Sequence, residues 1–370
     1  MQLFKCQKCG QVLYFENTVC EKCGSRLGYL PDLGDMSAVE PDGPTWIASA
    51  NPGKRYRFCA NWEDNACNWM VSAEDGASYC RACQHNRTIP DLSTSNNHRN
   101  WRKIEEAKRR LFYSLIKLDL PIPTANDGDS EPLVFDFLAD RPDGSKVMTG
   151  HDNGVITIAL GEADDAIREA ARASMGELYR TLLGHFRHEV GHYYWDKLVR
   201  DGNEIESFRA LFGDERADYA KALARHYEQG APAGWGDNHV SAYATMHPWE
   251  DWAETFAHYL HMVDTLEMAS AFGISIDPEI SDDPALEARP CGDPYQVYRV
   301  ETLVDAWLPL TYAVNCLNRS MGQPDLYPFV IAAGVVDKLA YVHDLVHRSR
   351  AGATFRPASH PTAAGQYAFV

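Results

Sequence analysis

His188-Glu189-Val190-Gly191-His192 is the stretch on which the reading of this 370-residue chain turns. On an α-helix, residues four apart share a face, so His188 and His192 can aim two imidazoles at one point. Such a pair suits zinc, and Glu189 can reach a water on the metal and take its proton. The same string also arises by chance, so its surroundings decide.

Around it, Leu178, Leu182 and Phe186 recur at helical spacing from Met175 onward, and Tyr193, Tyr194, Trp195 and Leu198 continue the apolar load. That pattern predicts a buried helix. The longer H-E-x-x-H-x-x-G-x-x-H pattern is excluded, because Trp195 and Leu198 stand where it needs glycine and histidine. Farther on comes Trp249-Glu250-Asp251-Trp252-Ala253-Glu254-Thr255-Phe256-Ala257-His258, in which Glu250 and Glu254 are one helical turn apart. Glu250 completes a set of two histidines and one carboxylate, with the fourth position left for water. Glu254 can accept the free N–H of a ligand imidazole and fix its tautomer. Asp251 competes for the metal, but only Glu250 pairs at i, i+4 with Glu254. His185, His258 and His261 are read as packed or hydrogen-bonding histidines, since the donor set is already full. For His247 two readings stand open: it lines the cleft, or it caps the helix that Pro248 opens.

The stretch Tyr243-Ala-Thr-Met-His-Pro-Trp-Glu250-Asp-Trp-Ala-Glu254 resembles the gluzincin site of the anthrax lethal factor type. His247 and Pro248 depart from that pattern. From the first cysteines to about residue 350, the chain also resembles a bacterial family named zinc-ribbon-containing "putative zinc-binding metallopeptidases". The first resemblance implies Glu250 as third ligand, Glu254 as the carboxylate behind a ligand histidine, and Tyr243 as donor to the developing oxyanion. It implies hydrolysis of a peptide bond by a zinc-activated water, with Glu189 taking its proton and returning it to the leaving amine. Loss of one such oxyanion donor typically costs about 3 kcal/mol of barrier. By analogy with zincins, an edge strand of a small sheet should border the cleft.

Composition frames the rest. With 45% hydrophobic residues the chain can bury a full core. The start Met1-Gln-Leu-Phe-Lys runs into a cysteine motif without a signal peptide, and the apolar run from Phe329 to Val336 is too short to span a bilayer. Ten cysteines without a secretion signal favour metal over disulfides, and a cytoplasmic location is expected. Residues 1–110 hold 15 Lys/Arg against 13 Asp/Glu, and residues 111–370 hold 20 against 39. So acidic a body argues against nucleic acid as a partner.

Cys6-x2-Cys9 and Cys20-x2-Cys23 make a four-cysteine zinc ribbon over residues 1–26. A redox role for these pairs lacks any thioredoxin-like pattern. The ribbon is a candidate site for a protein partner. Residues 27–50, with Pro31, Pro41 and Pro44, read as a linker. Cys59, Cys67, Cys80 and Cys83 then form a second structural zinc module over 51–92, with Trp62 and Trp69 around it. Four buried free thiols are the alternative, and His85 could replace a cysteine. One catalytic and two structural zinc ions are therefore expected per chain.

The remainder, 93–347, reads as a helix-rich α+β metallopeptidase domain of zincin type with a small sheet. The stretch from Asn97 to Leu118 is helical, with Trp101, Ile104, Ala107, Leu111 and Leu115 inward and Arg102, Lys103, Lys108, Arg109 and Arg110 solvated. Glu131–Leu138 and Gly154–Leu160 read as strands. Helices are expected over 204–228, 295–318 and 327–347, with Asp214, Glu215 and Asp218 on a solvated face. Cys291 and Cys316 are expected as buried thiols, and 348–370 as a disordered tail. The expected function is a zinc metallopeptidase acting on peptides or proteins, with endopeptidase as the default. A zinc-dependent scaffold or sensor on the same fold, and a hydrolase of non-peptide amides, are the alternatives. The scaffold reading leaves Glu189 without a role.

Overall fold

The computed structural model describes residues 1–141, 143–289 and 292–350. They form two compact units, residues 1–117 with 122–186 and residues 118–121 with 187 onward. The class is α+β, with cysteine-rich modules first and a helix-rich part after them.

In the first unit, β1 (Phe4–Lys5) and β2 (Val12–Leu13) make a short hairpin. The two Cys-x2-Cys pairs turn tightly because Gly10 and Gly24 take left-handed backbone, with φ of 73° and 71°. Their N–H groups donate to the carbonyls of Cys6 and Cys20 at 2.9 and 2.8 Å.

The expected linker is instead folded. β3 (Arg26–Leu30), β4 (Asp35–Asp42), β5 (Thr45–Ala48), β6 (Asn51–Phe58) and β7 (Met70–Ser72) form an antiparallel meander in that order. The prolines that read as linker chemistry sit where a sheet tolerates them. Pro31 follows β3, Pro41 lies near the end of β4, and Pro44 is in the turn between Asp42 and Thr45. Leu30, Val39, Ala48, Tyr56 and Met70 supply the buried face.

After β8 (Asn86–Thr88) comes α1 (Ser95–Lys117), whose Trp101, Ile104, Leu111 and Leu115 are buried as their spacing requires. The predicted solvated face is wrong at two positions, since Lys108 and Arg109 are buried. Lys108 lies four residues after Ile104 and three before Leu111, inside the apolar stripe. Its ammonium donates to Glu105 at 2.9 Å and to Asn86, and Arg109 donates to the Ala66 carbonyl.

A second sheet comprises β9 (Val134–Leu138), β10 (Gly150–Asp152) and β11 (Val155–Ala159), ordered β10-β11-β9-β8. Parallel pairs join β8 to β9 and β9 to β11, and β10 is an antiparallel edge. Next, α2 (Asp165–Met175) ends at Gly176, so the helix expected from Met175 starts later, as α3 (Leu182–Tyr194), and Leu178 is exposed. Phe186, at the start of α3, packs on Phe135 and Phe137 of β9.

In the second unit, α3 continues into a π-helical turn over Trp195–Arg200. Residues 204–228 form two helices, α4 (Ile205–Phe212) and α5 (Tyr219–Gln229), parted at Gly213. The central element is α6 (Pro248–Phe272), apolar on most sides because it is enclosed. On it pack α7 (Val300–Ser320) and α8 (Ala333–Arg350). Residues 348–350 are therefore helical rather than tail, and 351–370 lie outside the described residues, as does Cys291. Cys316 is exposed, not buried as expected. No helix among the described residues is long and apolar enough to cross a membrane.

Candidate metal centre

Two helices bring the donors together. His188 and His192 stand one turn apart on α3, and Glu250 sits in the first turn of α6. The close approach of these helices depends on Gly191. A Cβ there would lie 3.0 Å from the Ala253 Cα and 3.2 Å from its carbonyl oxygen. The Trp252 indole N–H donates to the Gly191 carbonyl at 2.8 Å and pins the crossing. One position before His188, Arg187 donates to Asp264 and shares a hydrogen bond with His261 of α6.

The three donor groups form a tight triangle, with each carboxylate oxygen of Glu250 facing one imidazole. His188 Nε2 lies 2.9 Å from Glu250 Oε2 and 3.3 Å from His192 Nε2, and His192 Nε2 lies 3.5 Å from Glu250 Oε1. A tetrahedral ion with bonds of 2.0–2.1 Å has donor–donor edges of about 3.4 Å. His188 Nδ1 donates to Glu254 Oε1 at 2.8 Å, which leaves Nε2 as a lone pair aimed at the centre. Glu254 is itself held by Ser241 Oγ, which donates to its Oε2 at 2.6 Å.

Lone pairs and a buried carboxylate facing one another require positive charge between them. Burial alone would lower the His188 imidazole, yet Glu250 and Glu254 outweigh it and hold it well above the ordinary histidine range. Burial would raise Glu250, and the charge of His192 with the hydrogen bond of His188 keeps it well below the carboxylate range. A proton or a cation satisfies such a centre, and two imidazoles with one carboxylate are a borderline-soft set that suits zinc.

Glu189 is half-buried on α3, and its charge reaches the Tyr219 hydroxyl. The Tyr243 ring lies 6.0 Å from that of His188. Burial, then the charge of Glu250, pushes its phenol above the usual tyrosine range, so it stays a neutral donor. His247 resolves toward the capping role: Nδ1 accepts from the Trp249 N–H at 3.2 Å and Nε2 donates to the Ala217 carbonyl at 3.0 Å. Asp251 points elsewhere, pairing with Lys338 at 2.6 Å.

The other candidates fall outside the triangle. His185 sits 3.1 Å from Glu162, His258 contacts the Tyr327 hydroxyl at 2.6 Å, and His261 meets Arg187. Asp214 and Glu215 pair with Arg216 and Arg209, and Asp218 caps α5.

Two further residues of this neighbourhood carry no motif in the sequence. Tyr219, which opens α5, donates to Glu250 Oε1 at 3.0 Å. Ser241 orients Glu254. Ser241 lies only two residues before Tyr243, a weak cue, and nothing local marks Tyr219.

In the first unit the cysteines form two clusters. Sγ separations are 3.7 Å for Cys6 and Cys23, 3.6 Å for Cys9 and Cys20, and 3.7 Å for Cys67 and Cys80. A disulfide needs about 2.0 Å, whereas zinc–sulfur bonds of about 2.3 Å give edges of about 3.8 Å. Cys59, Cys67, Cys80 and Cys83 are all buried. Burial pushes the Cys80 thiol up, so ionised sulfurs there need a cation in their midst. His85 is not among these four donors, and its Nδ1 bonds the Leu133 carbonyl at 2.7 Å.

Comparison with known proteins also points to zinc. Residues 97–345 match the family described as "Putative zinc-binding metallo-peptidase", and residues 3–94 match a zinc-ribbon domain. Proteins of Mycobacterium bovis and of two Mycobacterium tuberculosis strains, each named uncharacterized, are 42% identical over 347 residues. The match covers 94% of this chain and 95% of theirs. No solved structure matches. With the family model spanning well over half of its length, the chain belongs to the "Putative zinc-binding metallo-peptidase" family.

Proposed function

We propose that the chain is a zinc peptidase of gluzincin type, in which His188, His192 and Glu250 hold the metal. The observation that carries this reading is the triangle of three facing acceptor groups with Glu189 beside it on the same helix. Zinc held there supplies Lewis acidity, bringing a water toward ionisation at neutral pH and polarising the scissile carbonyl. Glu189 takes a proton on its carboxylate and later delivers it to the leaving amine. Tyr243 donates to the oxygen on which charge builds. Tyr219 and Ser241 are positioning residues, the first through Glu250 and the second through Glu254 and His188.

A donor set meant only to hold a metal has no use for Glu189. The test is therefore turnover of a peptide library by the full chain and by Glu189→Gln, with zinc content measured on both. The expected result is equal metal with a loss of turnover of about 10²–10⁴-fold. Equal turnover by the two proteins would sink the reading.

A further inference from the structure

A cavity of about 310 Å³ opens beside the C-terminal half of α5 and has no part in the centre described above. That volume lies at the small end of the range for ligand sites. Its polar lining comes from Arg225, His226, Gln229 and Thr245, with Ala222 and Met246 as apolar wall. No Asp or Glu lines it. Arg225 is exposed and makes no ion pair among the described residues, whereas Arg209, Arg216 and Arg200 of the same unit each face a carboxylate. In a chain of formal net charge −17, an unopposed guanidinium in an acid-free hollow is unusual.

The hollow is connected to the centre by two routes. Tyr219 at the start of α5 donates to Glu250. His226, two turns on, packs edge-on against Tyr243 at 5.8 Å, and Tyr243 in turn lies 6.0 Å from His188. Seven residues of helix advance about 10 Å, the length of about three residues of extended peptide. A chain crossing the centre can therefore place a side chain in the hollow.

We infer that this cavity receives a carboxylate of the substrate, within about three residues of the cleaved bond. The inference rests on the peptidase reading and deepens it. The negative pole of α5 lies at the same end, but it amounts to about half a charge, and Gly230 N–H already donates to the His226 carbonyl there. The full charge of Arg225 outweighs it, and a charge-assisted hydrogen bond from Arg is the strong kind. The carboxylate can belong to an Asp or Glu side chain or to the end of a peptide.

The experiment uses the zinc-loaded full chain and quenched peptides of one core, with Glu, Gln or Lys at successive positions and an amidated C-terminus. A further Gln series carries a free C-terminal carboxylate. Glu should be cleaved better than Gln at one position by about tenfold or more. Arg225→Lys should keep most of that ratio, and Arg225→Glu should turn the preference toward Lys. A preference that follows the free C-terminus instead assigns the hollow to the chain end.

Binding of fluorescent Glu and Gln peptides to Glu189→Gln, with and without Arg225→Glu, reads the cavity without turnover. Tighter binding of the Glu peptide that disappears with Arg225→Glu supports a carboxylate site at Arg225 even if wild type cleaves nothing, an outcome that removes the peptidase reading and, with it, only the placement relative to a cleaved bond. Cleavage with a Glu-to-Gln ratio near one, or a preference that survives Arg225→Glu, overturns the inference and leaves the peptidase reading standing.

Discussion

The second cysteine cluster and the histidine–carboxylate centre gather their donors in opposite ways. Cys59, Cys67, Cys80 and Cys83 bring four sulfurs together, as many donors as a tetrahedral ion takes, and are wholly buried. His188, His192 and Glu250 bring only three donors together, and only Glu250 is deeply enclosed, at 2% exposure. The surroundings differ as well. The cysteines have buried Arg109 and Lys108 near them, whose positive charge opposes that of the sulfurs. The histidine centre is backed by Glu254 and faced by Glu250, so negative charge surrounds the imidazoles. A closed, charge-balanced cluster stabilises the fold, and an open, electron-rich one leaves a place for a reacting oxygen.

This contrast predicts its largest effect at the cysteines. Cys67→Ser should strip the cluster of its ion and unfold the first unit, because a structural zinc contributes about 10 kcal/mol or more to folding. His192→Ala should lose one ion of three and keep native circular dichroism. Metal counts and far-UV spectra on both variants check this, and a folded, two-ion Cys67→Ser protein would erase the distinction.

An intermediate effect concerns acid. Burial pushes His258 down to about 4 in the second unit, and His85 likewise to about 4 in the first. Both folded values lie below the free value of about 6.5. The unfolded chain then takes up protons that the folded chain refuses, so stability falls as pH drops from about 6.5 to 4. The loss approaches about 3 kcal/mol per histidine. In hydrogen exchange, His258→Gln should lessen this pH dependence in the helices of the second unit, where burial also holds His347 down to about 4, and leave that of the first unit unchanged. A uniform change would show that the units do not titrate independently.

The smallest effect tests the packing under the open centre. In Gly191→Ala the new methyl meets Ala253 backbone, which cannot swing aside. Overpacking of this kind costs about 1–3 kcal/mol, against about 1 kcal/mol gained in helix propensity. A net loss of about 1 kcal/mol is expected, together with weaker zinc binding in chelator competition. Unchanged affinity would mean that the donor triangle does not depend on this crossing.

The two regions also differ in how far their sequences disclose them. The α+β class and the helices carrying His188 and Glu250 are legible because helical periodicity and spacing are local properties. The convergence of Glu250 on the histidines could be expected from its partner one turn later, Glu254. Tyr219 and Ser241 could not, because their contacts are made only by tertiary folding. The meander of β3 to β7 was hidden by its prolines and glycines, although Asp42-Gly43 is itself a hairpin cue between two strands. The burial of Lys108 and Arg109 is not legible, because a charged side chain reads as solvated, whereas Glu105 opposes the first and the neighbouring sulfurs oppose both.

The missing side chain at position 191 has a consequence for anyone rebuilding this chemistry elsewhere. Helices usually cross with axes about 8–10 Å apart, and side chains grafted onto such a pair would hold their nitrogens and oxygens too far from one another. A transplant of the centre therefore has to carry the bare backbone patch along with the donors, and a host whose rods cannot nearly touch will bind the ion poorly however faithfully the ligands are copied.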